Sequence, residues 1–171
     1  MKTTDNQDEL FIVVDRDDNI LGYKTRYECH HDKSLIHRSI GLLIFDKNGR
    51  VLLQQRSLSK DTRPGYWSDS VGGHVMRGES YEEAGQREMK EELGIDISVK
   101  FQSKFVLSYP YETEMSVLFT GIYGGPFHPD IQEVQRVKFI SKNELPRKLL
   151  SGEVKLTEFA QEGLKRVGFL L

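Results

Sequence analysis

The chain has little cysteine: Cys29 is the only one among its 171 residues, so an internal disulfide cannot form. This cysteine usage is typical of reducing compartments, and we expect a cytoplasmic protein. No stretch approaches the ~20 apolar residues that a membrane helix requires. The polar, acidic segment 1–9 also does not fit a signal peptide. The sequence therefore predicts no membrane partner.

The chain also lacks an excess of charge of one sign, since 24 basic and 26 acidic side chains leave a formal charge of -2. General binding of nucleic acid requires a large positive field, so we expect no nucleic-acid partner. A local basic site for a phosphorylated small molecule stays compatible with this balance. Internal repeats and low-complexity linkers are absent, and the length suits one domain spanning 1–171.

Apolar runs separated by turn residues predict that strands dominate the first two thirds of the chain. Residues 10–23 predict a hairpin, which we assign to an N-terminal extension over 1–34, and residues 39–53 predict a second hairpin within a core over 35–171. A loop follows over 59–66. Further strands are expected near 67–71, 99–108, 115–123 and 134–140, and tail helices near 142–150 and 156–166. One helix inserted among strands, with others at the end, predicts an α+β fold.

The strongest helix signal covers residues 80–93. Ser80 with Glu83 forms the pattern of a capping box, and Gly94 stands where a glycine ends a helix. Met89 and Leu93 fall on one face and can anchor the helix to a sheet.

Three glutamates of this helix, Glu88, Glu91 and Glu92, fall within one roughly quarter-turn sector at 3.6 residues per turn. Like charges at this spacing destabilise a helix, and a divalent cation would relieve the repulsion. Mg²⁺ favours such ligands, completed by waters and substrate phosphates. The alternative is a solvated acidic face, which most charge runs form.

The surrounding spacing decides between these alternatives. It runs from Gly73 through five residues to Glu79, then seven residues to Arg87-Glu88-Met89, Lys90, Glu91-Glu92, Leu93 and Gly94-Ile95. This segment, 73–95, resembles the Nudix box, G-x5-E-x7-R-E-U-x-E-E-x-G-U, where U is a bulky aliphatic residue. Seven fixed positions at roughly 6% usage each make a chance match on the order of 10⁻⁸ or rarer per start position.

The resemblance implies an αβα sandwich around a mixed β-sheet and a hydrolase that acts on a diphosphate. It implies Glu88, Glu91 and Glu92 as catalytic residues and as ligands of Mg²⁺ or Mn²⁺, with the Gly73 carbonyl nearby. Glu91 or Glu92 could also position or deprotonate the attacking water. Glu79 and Arg87 would form an internal pair that braces the loop against the helix.

The resemblance extends outside the box to type 1 isopentenyl diphosphate isomerases, which share the Nudix fold but move a double bond. The matching segments are 56–60, 64–67 and 70–74. The isomerase metal site uses two histidines seven positions apart, a histidine after the box glycine, and a Glu-x-Glu pair. This resemblance implies a second metal site and two basic residues that face the diphosphate: His30, His37, His74, Glu112 and Glu114 for the metal, and Arg56 and Lys60 for the substrate. Ordinary surface or core histidines, hairpin charges and a strand-end cation are the alternative interpretation.

One departure separates this chain from the isomerases, because Gly72 occupies the position of their catalytic cysteine. Glycine offers no acid or base for proton transfer at carbon, and Cys29 is distant in sequence. The complete box also favours hydrolysis. The leading hypothesis is a hydrolase of a small diphosphate, such as a nucleoside diphosphate derivative. The alternatives are isopentenyl diphosphate isomerase and a non-catalytic nucleotide-sensing module. The N-terminal hairpin could also support a homodimer.

Overall fold

This computed structural model describes residues 5–171, and the first four residues of the predicted extension lie outside it. The described residues form nine strands and four helices joined by loops. None of the described helices is long and apolar enough to cross a membrane. The strands are β1 (Leu10–Val14), β2 (Ile20–Thr25), β3 (Ile36–Phe45), β4 (Val51–Arg56), β5 (Trp67–Ser68), β6 (Val71–His74), β7 (Val99–Ser108), β8 (Thr113–Ile122) and β9 (Val134–Ile140). The helices are α1 (Arg26–Cys29), α2 (Tyr81–Leu93), α3 (Leu145–Leu150) and α4 (Glu158–Arg166).

Strand β3 is the centre of a mixed sheet. It pairs in parallel with β8 along its whole length, and β7 continues the sheet beyond β8. The other edge of β3 is shared by β1 at its start, β6 in its middle and β4 at its end, all antiparallel. Strand β4 also pairs with β5 and β9. Strands β6 and β4 pair with successive parts of β3, so a gap lies between them along this edge. Side chains from neighbouring segments can enter this gap.

Helices cover both faces of this sheet, which confirms the predicted α+β fold and αβα sandwich. Alternate residues of a strand point to opposite faces, so Leu42 of β3 packs with α2 and Leu43 packs with α4. Met89 and Leu93 of α2 are fully buried in the first core, as predicted. Burying side chains of this size stabilises the fold by roughly 1.5–3 kcal/mol each.

The capping signals of α2 are confirmed. Ser80 Oγ accepts a hydrogen bond from the Glu83 N–H at 3.2 Å, and the Ser80 N–H donates to Glu83 Oε2 at 2.8 Å. Gly94 ends the helix with φ of 63°, a left-handed conformation that glycine adopts without steric cost. Both ends of the box helix are thus determined by local residues.

The segment between the N-terminal hairpin and β3 contains an element that the sequence patterns did not predict. This element is α1, whose capping box joins Thr25 to Glu28. Strand β1 also pairs with β3 through Val13 and Val14, so the N-terminal hairpin belongs to the central sheet. Its outer strand, β2, carries the exposed side chains Ile20 and Leu21, and a homodimer along this edge stays a prediction.

The predicted strand over 67–71 is interrupted at Asp69 and Ser70. Ser70 Oγ donates to the Leu52 carbonyl at 2.6 Å and accepts from the Ile44 N–H at 2.7 Å. This hydroxyl therefore joins β3 to β4 where the backbone ladder is open, and Asp69 is left beside the gap.

Candidate active site

A cleft of about 420 Å³ receives side chains from most elements around the centre of the sheet. Its lining includes the three box glutamates, His30, His74 and the Glu112/Glu114 pair. The volume is in the range of small-molecule sites. His37 is fully buried and does not line the cleft, but its Nε2 lies 3.5 Å from Glu112 Oε2. The other predicted ligands of both metal sites therefore border one cleft.

Glu92 is the most deeply buried of the box glutamates. Its Oε2 accepts hydrogen bonds from Gln54 Nε2 at 2.9 Å and from the Gly72 N–H at 3.1 Å, so it reaches the junction of β4 and β6. Burial raises the pKa of Glu92 well above its ordinary value, and the charge of Glu88 adds to this. Burial also raises the pKa of Glu88 to about 7, against the opposing effect of Arg87. Two poorly solvated carboxyl groups side by side are a favourable environment for a divalent cation.

Arg87 ties the box together. Its Nε donates to Glu79 Oε1 at 2.7 Å, so the structure places these two side chains in the predicted pair. Its other nitrogens reach Glu88 at 2.7 Å, Glu91 at 3.0 Å and the His74 carbonyl at 3.0 Å. Glu91 is the most open box glutamate, with 57% of its side chain exposed. Arg87 therefore fixes the position of the helix relative to the end of β6.

Gly73 leaves the space that Glu88 occupies. A Cβ at this position would lie 2.7 Å from Glu88 Cγ and closer still to the carboxyl group. We expect Gly73→Ala to displace Glu88, to destabilise the protein by about 1–3 kcal/mol, and to lower metal-dependent turnover at least ~100-fold, as small misplacements of catalytic groups do. Chemical unfolding and steady-state kinetics measure both effects.

The matched control is Gly85→Ala in α2. Its Cβ would meet only Leu42 Cδ1 at 3.7 Å, an ordinary contact. Alanine gains up to about 1 kcal/mol over glycine within a helix, so we expect equal or higher stability and unchanged turnover. Equal behaviour of the two variants would contradict a specific role of Gly73.

The five residues predicted for a second metal site converge, although they come from separate elements. Ligand atoms of His30, His37, His74 and Glu112 all lie within 4.8 Å of one another. Glu112 Oε2 is 3.0 Å from His30 Nε2 and 3.5 Å from His37 Nε2. Glu114 Oε1 lies 3.6 Å from His74 Nε2, and its Oε2 accepts from the Tyr109 hydroxyl at 2.9 Å. The alternative of unrelated histidines is not compatible with this geometry.

The chemistry of this cluster fits a divalent cation. His37 is fully buried, and neither of its ring nitrogens has a hydrogen-bond partner within residues 5–171. Burial lowers the pKa of His37 well below its ordinary value, as it does for His74, so both imidazoles are neutral and can offer a lone pair. Neutral imidazoles next to carboxylates form a common donor set for divalent metals.

Phe11 of β1 packs against two histidines of the cluster. Its ring stacks on His74 at a centroid distance of 4.1 Å and on His37 at 5.4 Å. This residue could not be identified from the sequence, because an apolar residue in a strand carries no signal for such a role. The N-terminal hairpin thus helps to orient two candidate ligands.

The two predicted substrate-binding cations differ in their surroundings. Lys60 pairs with Asp5 at 2.5 Å and with Glu133 at 2.6 Å, so its charge is already compensated. The guanidinium group of Arg56 donates only to the Thr62 carbonyl and hydroxyl, at 3.1 and 3.2 Å, and has no ion pair among residues 5–171. Both border the cleft, and Arg56 is the more available to an anion.

Two further charged residues of the cleft were not identified from the sequence. Arg26 is buried and pairs with Asp61 at 3.2 Å; the capping pattern at Thr25 would have predicted the helix that carries it. Asp69 is buried at the wall of the cleft, and burial raises its pKa to about 7. The feature that could have revealed it is an aspartate inside a predicted strand, two residues after Trp67.

Comparisons with known proteins identify the family of this chain. Residues 35–160 match the NUDIX domain. An isopentenyl-diphosphate Delta-isomerase of Serratia proteamaculans is 37% identical over 123 residues, which cover 69% of this chain and 68% of the relative. An uncharacterized Nudix hydrolase of Pseudomonas aeruginosa is 34% identical over 133 residues, 77% of this chain and 78% of the relative.

A crystal structure of the protein DR0079 from Deinococcus radiodurans superposes with a TM-score of 0.79 at 21% identity, covering 92% of this chain and 98% of that one. This likeness supports the fold. The domain match over most of the chain and the two relatives show that the protein belongs to the Nudix family, in the branch that resembles isopentenyl diphosphate isomerases.

Proposed function

We propose that this protein is a divalent-metal-dependent hydrolase that cleaves the diphosphate linkage of a small substrate, such as a nucleoside diphosphate derivative. The observation that carries the proposal is that all the box carboxylates line the cleft. In the same cleft, Gly72 has no side chain that could act as the acid of an isomerase. Glu92 accepts the Gly72 N–H at 3.1 Å, so the box helix and the glycine meet in the same place.

Glu88, Glu91, Glu92 and the Gly73 carbonyl would hold Mg²⁺ or Mn²⁺ in this proposal, and the His/Glu cluster would hold a second cation. Such a cation, when bound, screens phosphate charge and lowers the pKa of water. The residues of the chain supply the remaining functions. Glu91 or Glu92 accepts a proton from the attacking water at a carboxylate oxygen. Arg56, which has no ion pair among the described residues, neutralises part of the charge of the diphosphate.

Arg87 and Glu79 would act as positioning residues. Arg87 contacts Glu88 and Glu91 directly, and Glu79 holds its Nε. If a bound cation drew Glu88 and Glu91 away from Arg87, the bonds of Arg87 to Glu79 and to the His74 carbonyl would still hold the helix against the end of β6.

The test is a panel of small diphosphates, including nucleoside diphosphate sugars, dinucleoside polyphosphates and prenyl diphosphates, incubated with Mg²⁺ or Mn²⁺. We expect release of a monophosphate or phosphate from at least one compound, and complete loss of release with a chelator. If the wild-type protein releases nothing from any compound in either metal, the proposal fails.

The second candidate is isopentenyl diphosphate isomerase, favoured by the converged His/Glu cluster and by the similarity to the Serratia protein. It predicts conversion of isopentenyl to dimethylallyl diphosphate, and undetectable conversion would dismiss it. A Gly72→Cys variant would test whether the missing thiol alone separates the two activities. The Cβ of the new cysteine would lie 3.0 Å from Asp69 Oδ2, so the Asp69 side chain must shift by a few tenths of an ångström.

The third candidate, a non-catalytic nucleotide-sensing module, predicts binding of a nucleotide without turnover in either metal. Calorimetry beside the hydrolysis assay separates it from the enzyme. The intact box carboxylates favour catalysis.

A further inference from the structure

Asp69 occupies a hollow that two glycines leave in the sheet. Gly41 of β3 and Gly72 of β6 are cross-strand partners, and their missing side chains would point to the same face. A Cβ on Gly72 would lie 3.0 Å from Asp69 Oδ2. A Cβ on Gly41 would lie 2.5 Å from the same atom and 2.0 Å from Cε1 of Phe159, so Asp69 shares the hollow with this ring. The carboxyl group of Asp69 therefore fills the space in front of the position where isomerases carry their cysteine.

The hydrogen bonding of this carboxyl group is incomplete. Oδ1 accepts from the Ser68 hydroxyl at 2.6 Å, whereas Oδ2 has no partner within residues 5–171. The residue is only 2% exposed, so water does not freely solvate it. A buried polar group without a partner is unfavourable and is uncommon in folded proteins. A ligand in the cleft is the natural source of the missing hydrogen bond.

The wall of the cleft beside Asp69 combines hydroxyl groups with aromatic rings, which suits the non-phosphate part of a substrate. The Ser68 hydroxyl lies 3.1 Å from that of Thr157, and the rings of Phe159 and Tyr109 border the same cleft. Asp69 and Glu92 also meet at the same residue, because Glu92 Oε2 accepts the Gly72 N–H at 3.1 Å and Asp69 Oδ2 lies 3.0 Å from the Cβ position of Gly72. A substrate whose diphosphate lies at the box glutamates can therefore bring its other group near Asp69.

We propose that Asp69 is a specificity-determining residue, whose Oδ2 forms a hydrogen bond with a hydroxyl or amino group on the moiety that the diphosphate carries. The inference rests on the proposed hydrolase function and names its substrate class: diphosphates of polar, hydroxyl-bearing groups. A prenyl chain has no group to pair with this oxygen, and a buried polar group left against hydrocarbon penalises binding. Sites built to hydrogen-bond a substrate reject analogues that lack the bonding group by large factors.

The experiment compares wild type, Asp69→Ala and the isosteric Asp69→Asn on a nucleoside diphosphate sugar and on isopentenyl diphosphate, with hydrolysis of both measured as kcat/KM. We expect wild type to prefer the sugar nucleotide at least ~100-fold and Asp69→Ala to reduce this preference below ~10-fold. Asp69→Asn, which keeps a hydrogen-bonding side chain of the same size, should restore a preference of at least ~30-fold. Asp96→Ala, an exposed carboxylate outside the cleft, is the control and should match wild type.

The unfolding midpoint without metal separates a binding role from a structural one. Since Asp69→Asn removes a poorly solvated carboxyl group, its midpoint should equal or exceed that of wild type. A lower midpoint in Asp69→Asn, with parallel losses on both substrates, would assign Asp69 a structural role and overturn the inference. An unchanged preference in Asp69→Ala would overturn it as well, while leaving the hydrolase function intact.

If wild type cleaves neither compound, the same preference is measured as binding affinity by calorimetry with Mg²⁺, and the hydrolase proposal itself fails only if no diphosphate of the panel is cleaved. Wild-type affinity that favours the sugar nucleotide, and that Asp69→Ala abolishes, supports the role of Asp69. Equal affinity of wild type for the two compounds refutes it.

Discussion

The Glu92→Gln variant is expected to lose at least a thousandfold of the metal-dependent turnover while it keeps its fold. An amide has the same shape and can still accept hydrogen bonds from Gln54 and the Gly72 N–H, so the local packing persists. The negative charge that a cation requires is lost, together with a proton acceptor for water. A thousandfold loss corresponds to about 4 kcal/mol of transition-state stabilisation.

The same variant should be more stable than wild type when no metal is present. The pKa of Glu92 is raised in the folded protein, chiefly by burial, so the wild-type protein is most stable when this group is protonated. The stabilisation that protonated Glu92 contributes is lost as the pH rises from the unfolded-state pKa, near 4.3, towards the pKa in the folded protein. An amide does not titrate. We therefore expect the unfolding free energy of Glu92→Gln to fall less steeply with pH above about 5, as denaturant titrations with a chelator will measure.

The matched control is Glu82→Gln, on the exposed first turn of the same helix. Its turnover and pH dependence should equal those of wild type. Retention of more than a tenth of the activity in Glu92→Gln would remove Glu92 from the catalytic set.

Removal of the His74 imidazole is expected to reduce the number of Mn²⁺ ions bound per chain from two to one. His74 lies within 4.8 Å of three other candidate ligand atoms, and loss of one ligand from such a site should weaken it at least ~100-fold. The box glutamates keep their own charge, and the Arg87 bond to residue 74 uses the backbone carbonyl. The second cation should therefore remain. Equilibrium dialysis followed by elemental analysis counts both.

Two variants accompany this measurement. Glu112→Gln keeps the side-chain volume and should lose the same ion, which guards against a packing effect beneath Phe11. His31→Ala, an exposed imidazole that stacks on Tyr27 outside the cluster, should bind two ions. If His74→Ala and Glu112→Gln bind as many ions as wild type, the His/Glu cluster is not a metal site.

Much of the fold could be predicted from local patterns. The ends of α2 depend on Ser80, Glu83 and Gly94, all close to the helix, and the strands follow from short apolar runs. The box could be identified because its spacing is contained in one segment. The short helix α1 was missed although its capping box has the same form, because a four-residue helix has no apolar periodicity to support the signal.

The relation between distant segments could not be predicted in the same way. The resemblance to isomerases suggested His30, His37, His74, Glu112 and Glu114, but their approach to one another depends on β3 pairing with both β6 and β8. Lys60 was predicted to bind substrate, and only the folded chain brings Asp5 against it. Charge compensation of this kind depends on contacts between residues far apart in sequence.

The sequence by itself determined the family, the catalytic helix and the types of residue available at the site, because these depend on periodicity and spacing along the chain. Only the tertiary structure decided which groups lose their water. Burial raises the pKa of Glu92 and Asp69 and lowers that of His37, and it leaves Asp69 Oδ2 without a partner in the described residues. Solvation is set by everything that packs around a group, and the packing of β3, β6 and α4 is encoded in no single segment.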